Sequence, residues 1–258
     1  MTESNINIVI TTFHSQGVIH TCLESISPKI KIIVIENSSN EKFKQEIELK
    51  YSNVKCILTG SNIGYSKANN LGLSNVKTKY ALVLNPDAVL QSDSIENFLK
   101  IAEENKHFWL FGPVTDQGNI AKQKTNNIVE VENLKGFAIF FNMSKFNNRF
   151  FDENFFLYFE EIDLCKRVKD ENGYIFLDPK IKIKHMGASS VNNEFKIELE
   201  KNRNWHWMWS TFYFHKKYKG YFLAFAIIFP KLISSFFRTC FYALIFNKEK
   251  RDIYFCRL

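Results

Sequence analysis

The chain has 258 residues, 45% hydrophobic and 24% charged, with a formal net charge of +7. That apolar content can bury one large core or two small ones, which excludes intrinsic disorder. Five cysteines (Cys22, Cys56, Cys165, Cys240, Cys256) are scattered without a CxxC pair, which argues against a disulfide framework or a zinc module and fits a reducing compartment.

Residues 1–20 contain no basic start followed by an apolar run, so no signal peptide is expected and the protein is expected to stay in the cytoplasm. Short β-branched runs then alternate with helical patterns. Ile6–Thr12, Ile30–Glu36, Val54–Thr59 and Tyr80–Leu84 read as strands, and 16–26, 40–51 and 65–76 as helices between them. Near-continuous apolar strands alternating with helices imply an α/β fold with a mostly parallel sheet covered on both faces. Ligands of such sheets bind beyond the carboxyl ends of the strands. The residues there are Thr11-Thr-Phe-His14, Glu36-Asn-Ser38, Gly60-Ser-Asn-Ile-Gly64 and Asn85-Pro-Asp87, all polar or turn-forming. No GxGxxG follows the first strand and no GxxxxGK[ST] occurs, so neither a dinucleotide fold nor a P-loop is expected.

The second half changes character. Phe108–Gly112, residues 128–133, Gly136–Phe141, Tyr174–Leu177 and Ile181–His185 read as further strands, some antiparallel, around an acidic helix over 160–172. In that helix Leu164, Cys165 and Val168 follow Glu161 at i+3, i+4 and i+7. The spacing places Glu161 at the edge of the inward face and Glu160, Asp163 and Arg167 on a neighbouring, wetter one. A carboxylate so placed can serve a cleft, and it can equally be a helix-capping charge; Asp163 can alternatively pair with Arg167 at i+4. A polar-aromatic helix over 194–217 carries Trp205, Trp207 and Trp209.

Residues 216–258 hold nine Lys/Arg against two Asp/Glu, so the preceding 215 residues are neutral, with 25 of each sign. The bases flank two apolar runs, Tyr221–Pro230 and Leu232–Phe246, instead of spreading over a folded reading surface, so no nucleic-acid partner is expected. Each run is shorter than the roughly 18–20 residues that span a bilayer. The expectation is a catalytic domain over 1–215 and, over 216–258, amphipathic helices peripheral on an anionic membrane surface; packing on the protein or on a partner is the alternative.

Taken in order, Glu36-Asn-Ser38, Asn62-Ile-Gly64, Asn69-Asn-Leu-Gly72, Asn85-Pro-Asp87, Lys135-Gly136-Phe137, Phe151-Asp-Glu-Asn-Phe-Phe156, Glu160-Glu-Ile-Asp-Leu164 and His185 resemble the glycosyltransferase family 2 enzymes of the GT-A fold. Within them the set resembles the bacterial rhamnosyltransferase-like group of O-antigen and capsule synthesis. The resemblance covers roughly residues 5–215. It implies an inverting transferase that moves a sugar, such as rhamnose from its dTDP form, from a dTDP- or UDP-linked donor to a lipid-linked or polysaccharide acceptor. Such an enzyme would work at the inner face of the cytoplasmic membrane.

By the same resemblance, Asp87 and His185 would bind a divalent ion, Mn²⁺ or Mg²⁺, that holds the donor diphosphate. Glu161 would be the general base, with Glu160 and Asp163 as alternatives. Thr11 and Glu36 would meet the pyrimidine base, and Asn62, Gly64 and Asn69 the diphosphate-ribose side. Asn85 stands in the place of the first aspartate of a DxD motif, and Gly136 where the backbone passes close to donor or acceptor. Two departures from the commonest motifs, Asn85 and Glu161 (one methylene longer than the usual Asp), keep open a different class: a sugar-nucleotide- or glycan-binding scaffold without turnover. A nucleotidyltransferase is disfavoured, because Thr11-Thr-Phe-His-Ser15 is not a glycine-rich basic loop.

Overall fold

The computed structural model describes residues 2–114, 127–185 and 196–258. The chain forms two compact units, one from Met1–Glu153 with Glu161–Ser190 and the other from Asn154–Glu160 with Val191–Leu258.

The first unit is built on β1 (Ile6–Thr12), β2 (Lys31–Glu36), β3 (Val54–Leu58), β4 (Tyr80–Leu84), β5 (Ala88–Leu90), β6 (Phe108–Val114), β7 (Val129–Glu130), β8 (Ala138–Asn142) and β9 (Tyr174–His185). Their order is β3-β2-β1-β4-β8-β6-β9-β5, with β7 paired to β9. From β3 to β4 all neighbours are parallel. Strand β8 then enters antiparallel between β4 and β6. Successive side chains of a strand point to opposite faces, and both faces here are apolar. Ile8 and Ile10 join a core completed by α1 (Gln16–Glu24), α2 (Glu41–Lys50) and α4 (Ser94–Glu104). Val9, Ile33 and Ile139 join the other, completed by α3 (Tyr65–Ser74) and α5 (Glu160–Asp170). A sheet wrapped on both sides has one open functional rim, at the strand ends.

Several expectations need correction. The two strands expected over 174–177 and 181–185 are one strand, β9, whose pairing with β6 shifts register after Pro113 and so absorbs the irregular middle. Only Val129–Glu130 of residues 128–133 is strand, and Gly136 precedes β8 instead of lying in it. Neither β5 nor α4 was expected, although α4 buries Ile95, Phe98, Leu99 and Ala102 at helical spacing. Residues 186 and 187, which follow His185, lie outside the described residues.

The second unit contains α6 (Lys196–Lys219), α7 (Tyr221–Leu244) and α8 (Lys248–Phe255). The expected boundary at 215/216 falls inside α6, which is continuous through it. The two apolar runs are also continuous: α7 is a 24-residue helix containing Pro230, long and apolar enough to cross a membrane by length and composition. Trp207 lies under Lys231 of α7, 4.1 Å from its ring centroid. Trp205 and Trp209 instead stack on each other and are exposed, so the three tryptophans do not share a face.

Candidate active site

Strand pairing assembles the site. Pairing of β4 with β8 sets Leu84 opposite Ala138, so Asn85-Pro86-Asp87 leaves the sheet beside Gly136 and Phe137. The Asn85 amide donates to the Phe137 carbonyl at 2.8 Å. Pairing of β5 with β9 sets Ala88 opposite His185, which delivers the imidazole to Asp87. The His185 Nε2 lies 3.2 Å from Asp87 Oδ1, with the aspartate side chain buried and the histidine partly open. Phe137 stacks on the His185 ring, centroids 4.8 Å apart, and fixes its plane.

One residue before Phe137, Gly136 touches the general-base candidate. A Cβ placed there would meet Glu161 Cβ, Cγ and Cδ, each at 3.6 Å. Glu161 Oε2 is shut off from solvent and accepts no hydrogen bond. Burial raises this carboxyl above the ordinary carboxylate range, against the opposing pull of the nearby backbone amides and Lys135. The chain enters α5 through Tyr158 and Phe159, both left-handed at φ 72 and φ 70, a conformation that costs non-glycine residues about 1–3 kcal/mol each. Strain of this kind is kept where a side chain must be held in one place.

The other two acidic residues differ from the expectation of a wetter face. Asp163 is fully buried and accepts from Arg167 Nε at 2.8 Å. Arg167 also donates to the carbonyls of Arg149 and Phe150, so this pair ties α5 to the preceding loop. Glu160 is likewise buried. Asp163 is therefore committed to the fold.

At the far side of the rim, Glu36 is fully buried and its two oxygens accept from Thr12 Oγ1 and Ser38 Oγ, both at 2.5 Å. The threonine that reaches Glu36 is Thr12, the neighbour of the Thr11 expected to meet the base. Thr11 Oγ1 is buried and has no partner. Asn62 shapes its own loop: its Oδ1 accepts from Asn37 Nδ2 at 2.9 Å and from the Gly64 amide at 3.1 Å. Gly64 starts α3 at φ 87, where glycine is the least strained residue. Asn69 is buried in α3, donating to the Tyr65 carbonyl at 2.9 Å while its Oδ1 stays without a partner.

Asn85 is explained by a residue that sequence reasoning missed. The Tyr65 hydroxyl lies 3.0 Å from Asn85 Oδ1 and 2.9 Å from the Gly136 carbonyl, bridging the two motifs. The signal was present, since Tyr65 directly follows Asn62-Ile-Gly64, but nothing in the sequence says which way its ring turns.

Among the described residues, no group of three or more His, Cys, Asp or Glu side chains could hold a metal ion. The Asp87–His185 pair nevertheless fits one. A carboxylate oxygen and an imidazole nitrogen within 3.2 Å of each other are a donor set that Mn²⁺ accepts, leaving other positions to phosphate oxygens and water.

Residues 7–165 match the Glycosyl transferase family 2 domain. Over 195 residues the chain is 25% identical to the low-salt glycan biosynthesis hexosyltransferase Agl10 of Haloferax volcanii, a match that covers 65% of this chain and 62% of that protein. It therefore spans about three-fifths of that relative. The fold resembles the mannosyltransferase PcManGT of Pyrobaculum calidifontis in complex with GDP-Man and Mn²⁺, with a TM-score of 0.62 at 12% identity over 87% of this chain and 69% of that one. It also resembles S. aureus TarS 1-349 in complex with UDP-GlcNAc, with a TM-score of 0.58 at 14% identity over 98% of this chain and 90% of that one. At these identities the structural neighbours speak for the fold, and the domain match over more than half of the chain gives the family: the protein belongs to glycosyl transferase family 2.

Proposed function

We propose that the protein is an inverting hexosyltransferase that moves a sugar from a pyrimidine nucleotide-sugar to a lipid-linked glycan acceptor. The observation that carries this reading is the run of contacts Asp87–His185–Phe137–Gly136–Glu161 along one rim of the sheet. This run sets the Asp87–His185 pair near a half-buried carboxylate with one oxygen unpartnered, which supports the reading. Glu161 accepts the proton of the acceptor hydroxyl as its oxygen attacks the anomeric carbon; the bond from that carbon to the diphosphate breaks, and the nucleoside diphosphate leaves with the electron pair. A divalent cation held by Asp87 and His185 would supply charge neutralisation for the leaving diphosphate. The Glu36 carboxylate at the end of β2 and the unpartnered Thr11 hydroxyl at the end of β1 support recognition of the imide N–H and carbonyl edge of uracil or thymine.

GDP-Man in the mannosyltransferase neighbour makes purine donors the natural competitors. The test is therefore a donor panel of dTDP-, UDP- and GDP-sugars with Mn²⁺ or Mg²⁺, reading nucleotide release and the anomeric configuration of the product by NMR. Pyrimidine-dependent release with inversion is expected. Retention of configuration, or release from GDP-sugars alone, would overturn the reading. Tight donor binding with no turnover of any donor would favour a binding scaffold.

A further inference from the structure

The two charges that interrupt the apolar runs of α7, Lys231 and Arg238, are seven residues apart and so share one helix face. On the structure both reach toward the neighbouring helices: Lys231 lies over the Trp207 ring of α6, and Arg238 Nη1 donates to the Tyr254 hydroxyl of α8 at 2.9 Å. Ala224, Ile228 and Ser235 on that same face are buried. The α6–α8 contact is closed by Lys201–Asp252 at 3.1 Å and by Arg257 donating to Asn204 at 2.7 Å. The opposite face carries no charge along the whole helix. Phe222, Phe225, Phe229, Ile233, Phe236 and Phe237 all stand on it and are exposed, Phe222 by 89%. Exposed along about 23 Å of helix, at 1.5 Å per residue, these side chains form a contiguous apolar patch of the kind that marks an interaction surface.

We propose that this face of α7 docks on an anionic lipid bilayer, with the helix lying in the plane of the membrane instead of crossing it. Exposed lysines bracket the stripe at both ends, Lys216, Lys217 and Lys219 before it and Lys248 and Lys250 after it. Lying flat, the helix presents both clusters to the anionic headgroups of one leaflet. A crossing helix would have to drag the face with Lys231 and Arg238, and the charged α8, into hydrocarbon. A second copy of the chain fits the stripe worse, because residues 216–258 carry net +7 on each copy. The inference stands apart from the catalytic reading, since vesicle binding reports the one and donor turnover the other.

The test uses the full chain with vesicles of phosphatidylcholine alone or mixed with phosphatidylglycerol. Binding to the anionic vesicles is expected, weakened but not abolished by high salt. Phe225→Ser/Phe229→Ser/Phe236→Ser/Phe237→Ser, all at exposed positions, should lower partitioning at least about tenfold while the unfolding midpoint holds. Lys216→Gln/Lys219→Gln/Lys248→Gln should remove only the salt-sensitive part, which keeps the test open if the serine variant folds poorly. Fluorophores on Lys219→Cys and Lys248→Cys, in a Cys240→Ser/Cys256→Ser background, should both be reached by an aqueous quencher added outside. Quenching at one end alone would mean that α7 spans the bilayer. Equal partitioning of wild type and serine variant, or a stable dimer whose interface the serines disrupt, would mean that the stripe is a protein contact. Either result overturns the proposal.

Discussion

At the scale of single residues, Glu161 and Asp163 show how two carboxylates two positions apart acquire different surroundings. Asp163 is buried with its charge answered by Arg167, whereas Glu161 is half-buried beside Gly136 with one oxygen unanswered. Because burial raises the Glu161 carboxyl, its base form is lost at a higher pH than for a free glutamate near about 4.3. The acid limb of kcat/KM should therefore lie above that value and vanish in Glu161→Gln. Linkage gives a companion result with a definite sign. A carboxyl raised in the folded state favours folding while protonated, and that contribution is lost as pH rises through its folded pKa. Above this window the ionised group is a cost, so Glu161→Gln should unfold no more easily than wild type at neutral pH even as activity falls. Asp87→Asn should abolish the added thermal stability that Mn²⁺ with UDP gives wild type, which would reach about 2.7 kcal/mol at a hundredfold excess over Kd. The motifs that carry Glu161, Asp87 and His185 were readable in their order, and the structure brings Asp87 beside His185. Thr12, Ser38 and Tyr65 were not, because which of two adjacent hydroxyls meets Glu36, and where the Tyr65 ring turns, depend on the local backbone and not on residue type.

At the scale of elements, glycines and one ion pair set the rim. Gly72 of α3 passes so close to β1 that a Cβ would sit 2.3 Å from Val9 Cγ1, so Gly72→Ala should cost about 1–3 kcal/mol in denaturant unfolding. Gly64→Ala should cost about 1–2 kcal/mol for its left-handed φ of 87, with the first turn of α3 displaced. Arg167→Ala removes the guanidinium that answers the buried Asp163 and should cost about 3 kcal/mol. The parallel strands were readable because both their faces are buried, which writes long β-branched runs into the sequence. The three-residue β5 was not readable, being too short for any period to register, yet it is the strand that carries Asp87 to His185. The face of α7 was hidden for a different reason. Lys231 and Arg238 break a linear apolar run but not a helical one, so counting along the chain gave two short segments where the helix has one continuous side.

At the scale of the whole molecule, the chain joins a family 2 glycosyltransferase unit to a three-helix unit in which α7 has one apolar face, and the central claim is that Glu161 takes the acceptor proton. The most direct measurement compares Glu161→Gln with Glu160→Gln in single-turnover sugar transfer, with donor affinity measured in parallel. The amide keeps the shape and removes the basicity, so Glu161→Gln should be slower by roughly 10²–10⁴ with donor Kd nearly unchanged. Glu160→Gln should keep most of its activity. If Glu160→Gln is the inactive enzyme and Glu161→Gln turns over normally, the assignment of the base is wrong by one residue and the site must be rebuilt around Glu160.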